Sequence, residues 1–436
     1  MMDRVVKAMG RVILMTVTCV AVLAVASCAK PSATQLAEGM VDSMVRGDFV
    51  SATKDFDATM KAALPAEKLG QSWAQVTARI GAFKSRTGSR EAQEAGFRTV
   101  HVTCRFEKGS WDIKVVFDKD GKIGGLHGSP TQSAEVSYKL PSYVHKERFE
   151  ERPVFVNKGG EWELPGTLTI PKGEGPFPAV ALVHGSGPQD RDETMGPNKP
   201  FKDIAWGLAS RGVAVLRYDK RSKVYTDPAK WDKNYTVKEE VTDDALAAVK
   251  VLRGSTGIDP KRVFVLGHSN GALLSPRIGK ADPKITGLIM MAGCITQPVE
   301  KCVLRQATYI ASLNGPITDD TKKEIDKQVQ SFMKCAPDSY NQDFDDYIRA
   351  AVEMAKSLKQ PMLVIQGARD YQAIEADFKI WKEVLGSKAN ATSKLYLDLN
   401  HLFMTGVGMA TPAEYEKHGT VAESVVSDIS DWINGQ

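Results

Sequence analysis

The sequence has no Cys-x-x-Cys pair and no cluster of cysteine with histidine, so nothing in it points to a bound metal. Charge of one sign is scarce as well. Lys and Arg number 57 against 53 Asp and Glu, a net +4 over 436 residues. With no basic run and no aromatic-basic stripe, that balance excludes a nucleic-acid partner as the expected role. Long apolar runs are missing after residue 26, so no second helical span is expected downstream. What remains, 42% hydrophobic and 25% charged, is the composition of a globular protein. The length exceeds the usual span of about 100–200 residues per domain, and two folded domains behind a leader are expected.

The one long apolar run lies at the N-terminus. Arg4, Lys7 and Arg11 precede an almost uncharged stretch from Val12 to Ala26, the charged and apolar regions of a secretory signal. It ends in Val25-Ala26-Ser27-Cys28, followed by Lys30-Pro31-Ser32, which looks like a bacterial lipoprotein signal over residues 1–27 with Cys28 as the acylated residue. An uncleaved anchor, or a plain signal peptide with an incidental cysteine, is the alternative. In each case the folded part is exported, and acylation would hold it to the membrane of the cell envelope, facing periplasm or exterior, without spanning it. Of six cysteines, Cys19 and Cys28 then belong to the leader and the lipid. Cys104, Cys294, Cys302 and Cys335 remain, and Cys302 pairs plausibly with Cys294 or Cys335, or all are free thiols.

From Thr34 to Phe83 apolar residues recur at helical spacing, as in Leu36, Met40, Met44 and Val45. From Phe97 the period becomes two, with strands expected at Thr99–Glu107, Ser110–Phe117 and Lys122–Leu126 around the turn signal Lys119-Asp120-Gly121-Lys122. That predicts a small α+β domain over residues 28–140, with Ser129 to Tyr143 as linker. Residues 141–436 read differently. After an opening antiparallel pair, Arg152–Val156 and Glu163–Ile170, apolar runs of the fully buried kind at Ala179–Val183, Val213–Tyr218, Arg262–Leu266, Ile285–Met291, Pro361–Gln366 and Ser393–Leu397 alternate with helical stretches at Phe201–Ser210, Val237–Arg253 and Tyr371–Leu385. Buried strands alternating with helices predict an α/β fold, a mostly parallel sheet covered on both faces. The polar, helical stretch 297–358 between two strands is expected to be a lid.

Gly267-His268-Ser269-Asn270-Gly271 sits between an expected strand and an expected helix. This is the pattern of a nucleophile elbow, where a strained turn flanked by glycines presents the serine hydroxyl at a helix N-terminus. Asp370 follows the strand Pro361–Gln366, where a carboxylate would orient a histidine or cap the next helix. His401, one of seven histidines, follows the next strand and completes the order Ser, Asp, His. An oxyanion would be held by backbone N–H groups of Asn270 and of the loop His184-Gly185-Ser186-Gly187-Pro188, with Ser186 the first choice and Gly187 the alternative. His184 is expected to fix that loop.

Together with Leu164-Pro165-Gly166-Thr167-Leu168, Gln189-Asp190-Arg191-Asp192, Arg217-Tyr218-Asp219-Lys220-Arg221, Gly367-Ala368-Arg369-Asp370-Tyr371-Gln372 and Asn400-His401-Leu402-Phe403, these segments make the chain resemble bacterial α/β-hydrolases of the esterase, dienelactone-hydrolase-like or serine-aminopeptidase-like kind. The resemblance implies the α/β-hydrolase fold, a triad of Ser269, Asp370 and His401, and carboxylesterase activity. It also implies that the N-terminal part is a domain of unknown function related to nuclear-transport-factor-like folds. Asn270 departs from the acidic or apolar residue of many relatives. Asp219, Lys220 and Arg221 either bind an anionic substrate group or form an ion-pair network.

The expected chemistry is acyl transfer from a small-molecule ester through an acyl-enzyme, needing neither cofactor nor metal. The same triad serves a peptidase or thioesterase. A surface-anchored ligand-binding lipoprotein without catalysis is the alternative of another class.

Overall fold

The computed structural model describes residues 31–94, 97–107, 109–130, 138–227, 230–295, 297–386 and 388–436. The leader 1–27 and Cys28 lie outside them. The chain divides into two units, Met1–Ser133 and Ala134–Gln436. The division falls inside the stretch read as linker, and the end of that stretch belongs to the second unit: Tyr138 donates to Asp203 Oδ1 (2.7 Å) and Tyr143 to the Val421 carbonyl (2.7 Å).

In the first unit four helices, α1 (Ala33–Val45), α2 (Phe49–Ala52), α3 (Ala58–Ala63) and α4 (Ala66–Ile80), precede an antiparallel sheet of β1 (Phe83–Glu94), β2 (Phe97–Phe106), β3 (Gly109–Phe117) and β4 (Ile123–Pro130) in the order 1-2-3-4. Ala33, Ala37, Met40, Val41 and Met44 bury one stripe of α1 against β2 and β3 residues such as Val100, Val102 and Val115. Strand β1 was not expected from the sequence. Its residues Lys84 to Gln93 are polar apart from Gly88 and Ala92 and none is buried, so the edge strand carries no apolar alternation, and only its ladder with β2 defines it.

In the second unit β5 (Phe149–Val156) and β6 (Leu164–Pro171) are the antiparallel opening pair. Then follow β7 (Phe177–Val183), α5 (Pro200–Ala209), β8 (Ala214–Tyr218), α6 (Arg221–Val224), α7 (Asp243–Gly254), β9 (Ile258–His268), α8 (Asn270–Ala281) and β10 (Leu288–Met291). Three consecutive helices, α9 (Val299–Ser312), α10 (Asp319–Met333) and α11 (Asp338–Ser357), fill the stretch read as a lid, before β11 (Met362–Gly367), α12 (Glu375–Leu385), β12 (Ala391–Tyr396) and α13 (Glu423–Asn434). Eight strands form one sheet in the order 12-11-10-9-7-8-6-5, with β7 to β12 parallel. This is the mixed, mainly parallel α/β architecture expected.

The unbroken apolar runs have a direct cause. Along β7, Val180 and Leu182 enter the cluster beneath α5 and α13, while Ala179, Ala181 and Val183 enter the cluster beneath α7, α8 and α12. Neither face meets water, so no alternation survives. Two helix boundaries differ from expectation. Helix α8 starts at Asn270 rather than near Ala272, and α12 starts at Glu375 because Tyr371–Ile374 is a loop. Among the described residues no helix is long and apolar enough to cross a membrane, and no group of three or more His, Cys, Asp or Glu is placed to hold a metal.

Candidate active site

Every candidate side chain sits just past the carboxyl end of a parallel strand: His184 after β7, Ser269 after β9, Asp370 after β11 and His401 after β12. That edge is where sheets of this kind bind ligands. Ser269 has φ +54° and ψ −112°, a conformation costly for a residue with a Cβ. Its surroundings impose it. The Ser269 amide donates to the Met291 carbonyl (2.8 Å), a Cβ on Gly267 would lie 2.1 Å from the Gly271 carbonyl oxygen, and a Cβ on Gly271 would lie 2.2 Å from that of Val183. Only glycine permits this turn at both positions.

Asp370 and His401 are brought together, 1% and 3% exposed, with His401 Nδ1 2.6 Å from Asp370 Oδ2. The imidazole therefore carries its proton on Nδ1 and leaves Nε2 as an acceptor. Asp370 is held on all sides: Oδ2 also accepts from Gln366 Nε2 (3.1 Å), and Oδ1 from the amides of Gln372 (2.7 Å) and Ala373 (3.1 Å). It thus closes the loop before α12 instead of capping the helix itself.

The loop after β7 reaches the elbow, since a Cβ on Gly185 would stand 3.2 Å from Ser269 Cβ. The Gly185 amide donates to Glu193 Oε1 (2.8 Å), which leaves the next amides, those of Ser186 and of Gly187 (φ +80°), in an exposed turn. Asn270 is the first residue of α8, where an N–H has no carbonyl within the helix to bond. His184 lies with Nε2 3.1 Å from the Asp190 carbonyl; burial pushes its pKa down to about 4, so the neutral ring donates and ties the loop.

Two features of the site were not read from the sequence. Glu193, at φ +52°, is buried and accepts from Gly185 through one oxygen, while the other lies 2.9 Å from His268 Nδ1; His268 Nε2 in turn lies 2.9 Å from the His401 carbonyl. One pair so joins the loop after β7, the turn at Ser269 and the His401 loop. Burial alone would lower the His268 pKa, but the Glu193 charge and hydrogen bond and the His401 carbonyl outweigh it and raise the pKa. Burial likewise opposes ionisation of Glu193, and His268 with the Gly185 amide holds its pKa below the ordinary value. Both shifts favour the charged form of the pair, an imidazolium with a carboxylate.

The second feature is a buried polar chain. Lys220 Nζ donates to the Gly185 carbonyl (3.0 Å) and lies 3.5 Å from Glu240, which accepts from Tyr340 of α11 (2.7 Å). The choice left open at Asp219, Lys220 and Arg221 is thereby decided. Asp219 takes a bidentate pair from Arg191 and Arg221 gives one to Asp244, so all three belong to an ion-pair network. No short motif reports partners that lie far along the chain.

A family model described as serine aminopeptidase, S33, matches residues 179–405, and esterase EstD of Thermotoga maritima is 39% identical over 401 residues, 90% of this chain and 93% of that protein. The chain belongs to this hydrolase family. A model described as a protein of unknown function (DUF3887) matches residues 37–126 of the hydrolase. Among solved structures, a Pyrococcus furiosus esterase is 17% identical, covering 66% of this chain and 91% of its own with a TM-score of 0.43. The hyperthermophilic esterase of Pyrobaculum calidifontis is 16% identical, covering 66% and 85%, also at 0.43.

Proposed function

We propose that this hydrolase cleaves carboxylic esters by acyl transfer. Ser269 is the nucleophile, His401 the general base through Nε2, and Asp370 the group that orients the imidazole and stabilises its charged form. The amides of Asn270 and Ser186, or Gly187 in its place, hold the oxyanion. The ester carbonyl is attacked by Ser269 Oγ as His401 takes the proton; the proton passes to the leaving alkoxide, and water repeats the sequence on the acyl-enzyme. Two observations carry this reading: the buried His401–Asp370 bond of 2.6 Å, which leaves the other ring nitrogen as the acceptor, and the positive φ of Ser269 in its glycine-flanked turn. The esterase relative supports an ester over an amide, and the aminopeptidase description of the matching family keeps peptide substrates as the second reading.

Turnover of a short-to-long series of p-nitrophenyl esters, beside aminoacyl p-nitroanilides, separates the two. Esters are expected to turn over, with a fluorophosphonate label confined to Ser269. Cleavage of anilides alone overturns the ester reading, and a folded protein that neither turns over nor labels returns the chain to the ligand-binding alternative.

The hydrolase is also proposed to be exported and acylated at Cys28, on the strength of the basic, apolar and small-residue order of residues 4–28. Metabolic labelling with palmitate is expected to mark the wild type and not Cys28→Ser, which should leave the membrane fraction; retention of label in the variant removes Cys28 as the site.

A further inference from the structure

Cys294 and Cys302 take no part in the chemistry above, yet their Sγ atoms stand 3.0 Å apart. Cys294 lies in the segment that leaves β10, and that segment is fixed on every side. The Ala292 amide donates to the Ile365 carbonyl (3.0 Å), Trp381 Nε1 to the Gly293 carbonyl (3.2 Å), and the Ile295 amide to Asp377 Oδ1 (2.7 Å). Cys302 is in the first turns of α9, whose start is held by the Val299 amide on Asp345 Oδ1 (2.9 Å) and the Cys302 amide on the Pro298 carbonyl (3.0 Å). Two rigid frames thus present their sulfurs to each other. A bonded pair needs about 2.0 Å, so the two sulfurs have about 1 Å left to close. Cys335 is exposed and gives its thiol to the Ser331 carbonyl (3.4 Å), so nothing turns it toward Cys302.

From this geometry we infer that Cys294 and Cys302 form a disulfide, a covalent tie between the root of the helical insertion and the segment that supports the nucleophile. The support is direct, because Met291, three residues before Cys294, accepts the Ser269 amide. Arg305, one turn after Cys302, lies with Nη2 3.8 Å from Cys294 Sγ and donates to the Gln372 carbonyl beside the Asp370 loop (2.7 Å). Cys302 gives its own thiol hydrogen to the Gln297 carbonyl (3.3 Å), which leaves Cys294 as the donor between the two sulfurs; that bond lowers the Cys302 pKa against the effect of burial, with the Arg305 charge helping, and the same bond, with burial, raises Cys294. Cys302 is accordingly the first thiolate.

The oxidant is a small-molecule disulfide. The Cys302 thiolate attacks one of its sulfurs, releasing a small thiolate and leaving a mixed disulfide. Cys294 passes its proton to that thiolate and attacks Cys302 Sγ; the Sγ–Sγ bond forms, and the second small thiolate leaves and takes up the proton lost from Cys302. Two protein thiols are oxidised by two electrons, and one small disulfide is reduced to two thiols.

The full chain, folded and equilibrated with excess oxidised glutathione, is quenched in acid, alkylated under denaturing conditions and mapped by peptide mass. The expected product is a peptide pair linking Cys294 to Cys302, about 2 Da lighter than the sum of its thiol forms and separated by dithiothreitol, with Cys335 outside it. Cys294→Ser and Cys302→Ser each remove the pair and leave the other cysteine glutathionylated or alkylated. Wild-type protein in which both cysteines alkylate as free thiols, each carries glutathione, or Cys302 links to Cys335 overturns the inference. The wild-type map decides it even where a variant does not fold.

Discussion

Ser269→Ala is expected to lower kcat/KM for a p-nitrophenyl ester by about 10⁴-fold or more while leaving the fold intact, because the missing Oγ is small and the positive-φ turn stays enforced by its neighbours. Asp370→Asn is expected to lose about 10⁴-fold as well, for a different reason. An amide that keeps accepting from Gln372 and Ala373 through one oxygen presents an NH₂ group to His401, which then turns its unprotonated nitrogen inward and offers Nε2–H to the serine. Members of such a unit do not add, so Ser269→Ala/Asp370→Asn should be no slower than Ser269→Ala by more than a few-fold, roughly. Steady-state rates on one ester check all three. A double variant slower by the product of the single losses would mean that the two residues act independently, and the proposed triad would fail.

The second large effect lies at Glu193. Truncation to alanine leaves the His268 charge buried without its partner and the Gly185 amide without an acceptor, and is expected to cost about 3–5 kcal/mol of stability. Glu193→Gln keeps the volume and one acceptor but not the charge. Its expected signature is a fall in kcat of about 10²-fold with KM little changed, since a shift of about 1 Å in the oxyanion loop or the His401 loop misplaces groups that matter in the transition state.

The pH dependence separates this positioning role from bulk destabilisation. The raised pKa of His268 contributes stability that is complete below its unfolded value of 6.5 and is lost as pH rises through the higher folded value. The lowered pKa of Glu193 contributes stability present above its unfolded 4.5 and lost as pH falls through the lower folded value. The ion pair therefore stabilises most between 4.5 and 6.5. The gap in unfolding free energy between wild type and Glu193→Gln should be widest near pH 6 and narrow in alkaline solution; a gap constant from pH 6 to pH 9 would show that the pair is not charged.

Much of this molecule is legible along the chain. The runs at β7, β8, β9 and β11 are readable because strands buried on both faces are mostly apolar without alternation over their central residues. The elbow is readable because the glycines at 267 and 271 are demanded by sub-van-der-Waals space, a local constraint that leaves a local mark. Strand β1 is not readable, since an edge strand with no buried residue needs only a neighbour's backbone, and its mostly polar residues Lys84 to Gln93 would suit a loop as well.

The sequence by itself determined the fold class, the order of those strands and helices that carry an apolar pattern, and the nucleophile, acid and base candidates, because each depends on periodicity, turn chemistry or position after a strand. Tertiary structure alone decided who holds them. Glu193 reaches His268 across 75 positions, His268 reaches the His401 carbonyl across 133, and Tyr340 reaches Glu240 across 100. A buried charge or amide must find a partner once water is gone, but any donor of the right reach will serve, so the pairing is chosen by how the elements pack and leaves no spacing in the sequence.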